Sequence, residues 1–305
     1  MTSNFFALTN GVKQGAILSG ILYCYYCNDL FFILRERKAG CWVKGEFFGI
    51  VGYSDDNWLL APSRTALQEM LKTCEEYAEI HNLKFSTDVN PHKCKTKCIA
   101  FLKKDRVIAE VQLCGNPLPW VPSGKHLGMH FLNKIDGMKH DIMVKRAQFI
   151  GRNNELRQEY SFSHPRTKFL MNNIYNSHFT GSPVWDLFSH EAFMLENTWN
   201  KSIRLMFDLP IQTHKYLLCP LSESVHIKAK LISRFISFTQ KIEASKKKSV
   251  THLYKFIKND VRSITGSNWK RIILLLGQDD DYKLVPYDSR SILYHPVPHD
   301  DLWKV

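Results

Sequence analysis

The chain is short of acidic residues, of secretory signals and of long uncharged apolar runs, and each shortage excludes something. Asp and Glu number 29 against 41 Lys and Arg, a formal charge of +12, so acidic partners are favoured: nucleic acid or an anionic membrane surface. The start, Met1-Thr2-Ser3-Asn4-Phe5-Phe6, lacks the basic opening and continuous apolar stretch of a signal peptide. That argues against secretion and for an intracellular protein of the nucleus or cytoplasm. The one run near membrane-spanning length, residues 16–34, is interrupted by Asn28-Asp29. A central acidic residue costs about 2.5–3.5 kcal/mol on insertion, so the run reads as a buried helix and no membrane partner is expected. The eight cysteines lack the spacing of a secreted framework and read as buried thiols in a reducing compartment. Cys24-x2-Cys27 and Cys94-x3-Cys98 do not complete a four-ligand zinc set; position 32, where a zinc knuckle wants His, is Phe. There is no internal repeat and no low-complexity tract.

What is present is a globular composition of 305 residues, with 12% aromatics to offset the entropy lost on folding and length enough for two domains. Residues 16–34 end in Arg35-Glu36-Arg37-Lys38-Ala39-Gly40, a charged stop with Gly near the C-cap. Two apolar runs, 47–53 and 57–61, flank Ser54-Asp55-Asp56-Asn57, the pattern of a hairpin whose tip carries two carboxylates. Pro62-Ser63-Arg64-Thr65 opens a helix with Thr65-x-x-Gln68 as its capping box and an end near His81-Asn82. Residues 98–102 and 107–114 read as strands, and a Pro-rich bend leads to His126-Leu127-Gly128-Met129-His130-Phe131. Alternating strands and helices predict an α/β or α+β sheet with helices on one face. Helical periods dominate from residue 138, over 138–159, 165–180, 188–206 and 222–244. Lys246-Lys247-Lys248 lies in a solvated basic link, and Pro286, Pro296 and Pro298 discourage regular structure in the tail.

Adjacent carboxylates at a hairpin tip are common in surface turns, so the tetrad alone is a weak signal. Its apolar flanks sharpen it, because they imply a tip projecting from a sheet buried on at least one face. Carboxylates held on such an edge are hard oxygen ligands suited to Mg²⁺.

Several motifs in order resemble the palm of a reverse transcriptase of the non-LTR (LINE-like) retrotransposon type. Gly11-Val12-Lys13-Gln14-Gly15-Ala16-Ile17-Leu18-Ser19 resembles motif B, which implies Gln14 and Gly15 at the template and nucleotide site. Tyr53-Ser54-Asp55-Asp56 matches the Tyr-x-Asp-Asp box of motif C, with Asp55 and Asp56 as catalytic metal ligands and Tyr53 beneath the primer end. Residues 83–101 are similar to motif D, implying Lys95 or Lys97 as the acid that protonates pyrophosphate. Residues 126–131 resemble motif E, the primer grip.

The resemblance covers about residues 10–135. It implies an α+β chain: a partial palm, an antiparallel sheet with packed helices, over 1–135 and an all-helical thumb or connection over 136–245. A basic link, short helical segments and a Pro-containing tail would fill 246–305. It further implies RNA-directed DNA synthesis by two-metal nucleotidyl transfer, with Mg²⁺ as cofactor, Mn²⁺ as an alternative, and RNA template, DNA primer and dNTP as partners.

Two departures matter. Gly20 stands where the family usually has Pro, which removes a preset φ at a helix start. The family's first catalytic aspartate belongs to motif A, upstream of motif B, and none of the ten residues before Gly11 is Asp or Glu. The expectation is therefore a truncated fragment or decayed copy, weak in metal binding, with an apolar sheet edge left open. Beside the polymerase stand a non-catalytic nucleic-acid-binding remnant and a basic helical interaction protein with a chance tetrad.

Overall fold

The structure is a computed structural model that describes residues 16–276, apart from 91, 103–106, 135–136 and 177–178. It is mixed α and β, with small antiparallel sheets, and forms two compact units, residues 1–121 and 122–305.

In the first unit, α1 (Ser19–Tyr26) and α2 (Asn28–Glu36) are followed by β1 (Trp42–Val43), β2 (Glu46–Phe47), β3 (Ile50–Tyr53) and β4 (Asp56–Leu59). Then come α3 (Arg64–Ile80), β5 (Gln112–Leu113) and β6 (Asn116–Pro117). The run expected to be one buried helix is thus two. Cys27, at φ −92° and ψ 0°, separates them, and Asp29 sits in the first turn of α2, where the helix dipole favours an acid. The burial expectation is also corrected for α1, which has no fully buried side chain: Ile21 is 66% exposed and Tyr25 85%, and Tyr23 is half-buried. Only α2 turns inward, through Leu30 and Leu34.

Helix α3 organises the unit because it is apolar on two sides. Met70, Cys74 and Tyr77 meet Leu30, Leu34 and Ile50, while Leu71 joins Cys94, Cys98, Val111, Leu113 and Leu118. Its cap differs from the expected Thr65 box: Ser63 Oγ accepts from the Ala66 N–H at 3.1 Å. Gln68 is diverted to Gln112, accepting from its N–H at 2.9 Å and donating to its C=O at 3.0 Å. Tyr77 donates its hydroxyl to the Tyr26 C=O at 2.6 Å and stacks on His81, and Tyr26 donates to the His81 C=O at 2.7 Å.

The strands expected over 98–102 and 107–114 shrink to a single parallel bridge, Cys98 to Trp120, and the short β5–β6 hairpin. Pro117 ends β6 and Pro119 follows two residues later, and a proline supplies no N–H to extend a ladder. The four strand pairs among the described residues are separate hairpins; they do not join into one sheet.

The second unit opens with β7 (Ser123–His126) and β8 (Met129–Leu132), which pack against α4 (Gly137–Glu159). Their two-residue turn is Leu127 and Gly128, both at positive φ, as a type I′ turn requires. Then come α5 (Pro165–Asn176), a 3₁₀ turn (Ser182–Val184), α6 (His190–Met206), α7 (Lys215–Ser222), α8 (Ile227–Glu243), α9 (Lys248–Lys258) and α10 (Ile264–Leu276). Lys248 therefore starts a helix where the sequence predicted a link. Trp185, Phe149, Leu195, Trp199, Phe235 and Trp269 form the centre of the core.

Two buried polar groups tie this unit together. Asp141, fully buried, accepts from the His130 N–H at 2.9 Å, meets His130 Nδ1 at 3.0 Å and accepts from Trp185 Nε1 at 2.8 Å. Asn268, equally buried, donates to the Trp185 C=O at 2.7 Å and accepts from the Leu187 N–H at 3.2 Å.

Candidate functional site

The Asp-Asp tetrad forms a tight hairpin. Ile50 pairs with Leu59, Val51 with Trp58, Gly52 with Asn57 and Tyr53 with Asp56, which leaves Ser54 and Asp55 as the two-residue loop. Ser54 takes the left-handed conformation at φ 55°. Strand alternation then gives the hairpin two unlike faces. Ile50 and Leu59 lie in the core with α2 and α3, and Gly52 lies against Phe31. Val51 and Tyr53 face the other way, 51% and 65% exposed. The expected face-buried sheet is therefore a single hairpin backed by helices, with its second face open.

Asp55 and Asp56 are both exposed at the tip. Asp55 has a neighbour the sequence reading missed: Tyr23 of α1, which feels its charge. Burial pushes the Tyr23 phenol up, the neighbouring Cys27 thiol adds to this, and the Asp55 charge acts in the same direction. Tyr23 thus stays a neutral hydroxyl beside the tip. The spacing of Tyr23 and Cys27, four apart, was the available signal that the two share a helix side. Behind the tip, Asn57 Oδ1 is buried with no hydrogen-bond partner among the described residues.

As donors, Asp55 and Asp56 suit a hard divalent cation in kind. In number they fall short: no group of three or more His, Cys, Asp or Glu side chains able to hold a metal ion exists among the described residues.

Lys95 and Lys97 are exposed, on either side of Thr96, whose N–H and Oγ1 both bond the Ser86 C=O. Buried Cys94 and Cys98 fix the segment's ends, with burial pushing the Cys98 thiol up to about 11. No described interaction joins either lysine to Asp55 or Asp56. Gln14 and Gly15 lie outside the described residues. Gly20 lies in the first turn of α1, with nothing near the position of an added Cβ. Residues 126–131 form the β7–β8 hairpin of the second unit.

No described helix is long and apolar enough to cross a membrane. The protein family described as reverse transcriptase (RNA-dependent DNA polymerase) matches residues 2–131 of the chain. No curated protein matches it.

Proposed function

We propose that the β3–β4 hairpin is the metal-binding tip of an RNA-directed DNA polymerase site of the non-LTR (LINE-like) retrotransposon type, in the nucleus or cytoplasm. The observation that carries the reading is the placement of two adjacent, solvent-facing carboxylates at the tip of a helix-backed hairpin, Asp55 in its turn and Asp56 at the start of β4, inside the stretch that matches the reverse transcriptase family.

Asp55 and Asp56 would hold Mg²⁺, with Mn²⁺ as an alternative; when bound, the metal would supply activation of the primer hydroxyl and charge stabilisation at the leaving oxygens, as in two-metal nucleotidyl transfer. The chain's own residues do the rest. Phe31 and Ile50 anchor β3, the first strand of the hairpin whose tip carries the aspartates. Tyr53, open on one face, offers an aromatic surface to the primer end, since any base has a π face to stack. Lys95 or Lys97 supplies a proton to pyrophosphate, and Gln14 and Gly15 contact template and dNTP. RNA template and DNA primer are the macromolecular partners.

A second reading, a nucleic-acid-binding remnant without catalysis, is favoured by the donor set, which among the described residues is two carboxylates with no third ligating side chain. Primer extension on an RNA template separates the two. The 305-residue chain is expected to give little synthesis. Magnesium-dependent extension abolished by Asp55→Asn with Asp56→Asn supports the polymerase, whereas extension indifferent to that double variant overturns these roles. Binding that survives the double variant, its log affinity falling linearly with log salt, without extension, supports the remnant.

A further inference from the structure

We propose that Cys24 and Cys27 form a thiol–disulfide switch at the α1–α2 junction, closed by a low-molecular-weight disulfide and reopened by thiols. The inference does not depend on the polymerase reading, although the switch sits beside its tip.

The geometry begins with one closed helical turn. The Cys27 N–H donates to the Tyr23 C=O at 3.0 Å, so Cys24 and Cys27 lie three apart on a continuous turn. Side chains so spaced have Cβ atoms about 5–6 Å apart, whereas a disulfide wants about 3.5–4.5 Å. Closure must draw the two together by about 1–2 Å. Cys27 is the residue able to give, because it ends one helix and precedes the next. A bond closed under such strain is more oxidising than a structural disulfide and belongs to the labile class. That suits a reducing compartment, where disulfides are transient and sensing.

The two thiols divide the work. Cys24 is exposed, whereas Cys27 is 5% exposed and burial pushes its thiol up. Exchange therefore starts at Cys24. Its thiolate attacks one sulfur of glutathione disulfide, forming a mixed disulfide and releasing one glutathione. Cys27, as thiolate, then attacks the Cys24 sulfur and expels the second glutathione. Two protein thiols are oxidised, one disulfide is reduced, and the two thiol protons end on the two glutathiones. The switch adjoins the tip through Tyr23, whose C=O accepts from the Cys27 N–H and whose phenol feels the Asp55 charge.

The test uses the full reduced chain equilibrated in glutathione buffers of rising disulfide content, then acid-quenched, alkylated and cut with trypsin. One peptide, Gln14 to Arg35, holds Cys24 and Cys27 and no other cysteine. The expected product is this peptide unalkylated and lighter by two hydrogens, restored to two alkylatable thiols by dithiothreitol. In Cys24→Ser, an exposed and mild change, Cys27 should stay alkylatable at every ratio. A peptide that keeps glutathione on Cys24 with Cys27 still alkylated, or two alkylated thiols throughout, overturns the switch.

Discussion

The ring of Phe31 fills the space that a side chain on Gly52 would need: Phe31 Cζ lies 2.6 Å from the position of an added Cβ, and Asn57 Oδ1 lies 2.5 Å from it. Glycine is thus required one residue before Tyr53 by packing, not by a turn. Gly52→Ala should overpack the joint between α2 and β3 and cost about 1–3 kcal/mol, read as a lower denaturation midpoint. A variant as stable as the parent would mean that Phe31 can swing aside.

The start of α3 offers a contest between two neighbouring hydroxyls. Ser63→Ala should remove the acceptor for the Ala66 N–H and cost about 1 kcal/mol, whereas Thr65→Ala should be close to silent. Thermal unfolding of the two single variants decides it; equal losses would restore the Thr65 box.

Asp141→Asn keeps an oxygen for His130 but turns an amide N–H₂ toward the Trp185 indole, leaving one buried donor unpaired. The expected loss is about 1–3 kcal/mol in urea unfolding, and Asp141→Ala should lose more. Near-neutral results for both would show that the second unit does not depend on this carboxylate.

His226 caps α8 by accepting from the Lys228 N–H at 3.3 Å, which requires a neutral ring. Burial lowers its pKa from the ordinary 6.5, and Lys228 of α8 and Lys215 of α7 add to this, while Glu196 of α6 opposes it. The unfolded chain therefore binds the proton more readily than the fold. His226's contribution is complete above pH 6.5 and is lost as pH falls through the lower folded value. Stability measured from pH 8 to 5 should fall on the acid side, and His226→Asn, a non-titrating cap, should flatten that part of the profile.

Long helices were legible because their pattern repeats many times. Over 138–244 the apolar spacing anticipates α4, α6 and α8, and the core of α3 follows from Leu67, Leu71, Cys74 and Ala78. The Asp55–Asp56 hairpin was legible from turn chemistry between apolar runs. The break at Cys27 was not, since a single residue with ψ near 0° leaves no periodic trace and 16–34 stays apolar across it. Nor was the loss of the strands over 98–102 and 107–114: apolar residues bury as well in irregular chain, and Val111, Leu113 and Leu118 do so around α3. Tyr23 escaped notice beside Asp55 because their neighbourhood joins segments some thirty residues apart.

Asn268 has a consequence for the order in which the chain is made. Its amide, fully buried, pairs with the backbone at Trp185 and Leu187, more than eighty residues earlier. Until residue 268 has been synthesised, the Trp185 C=O and the Leu187 N–H have no such partner. The helical unit therefore completes its fold late, and a nascent chain halted after α8 should stay sensitive to protease around residues 185–187.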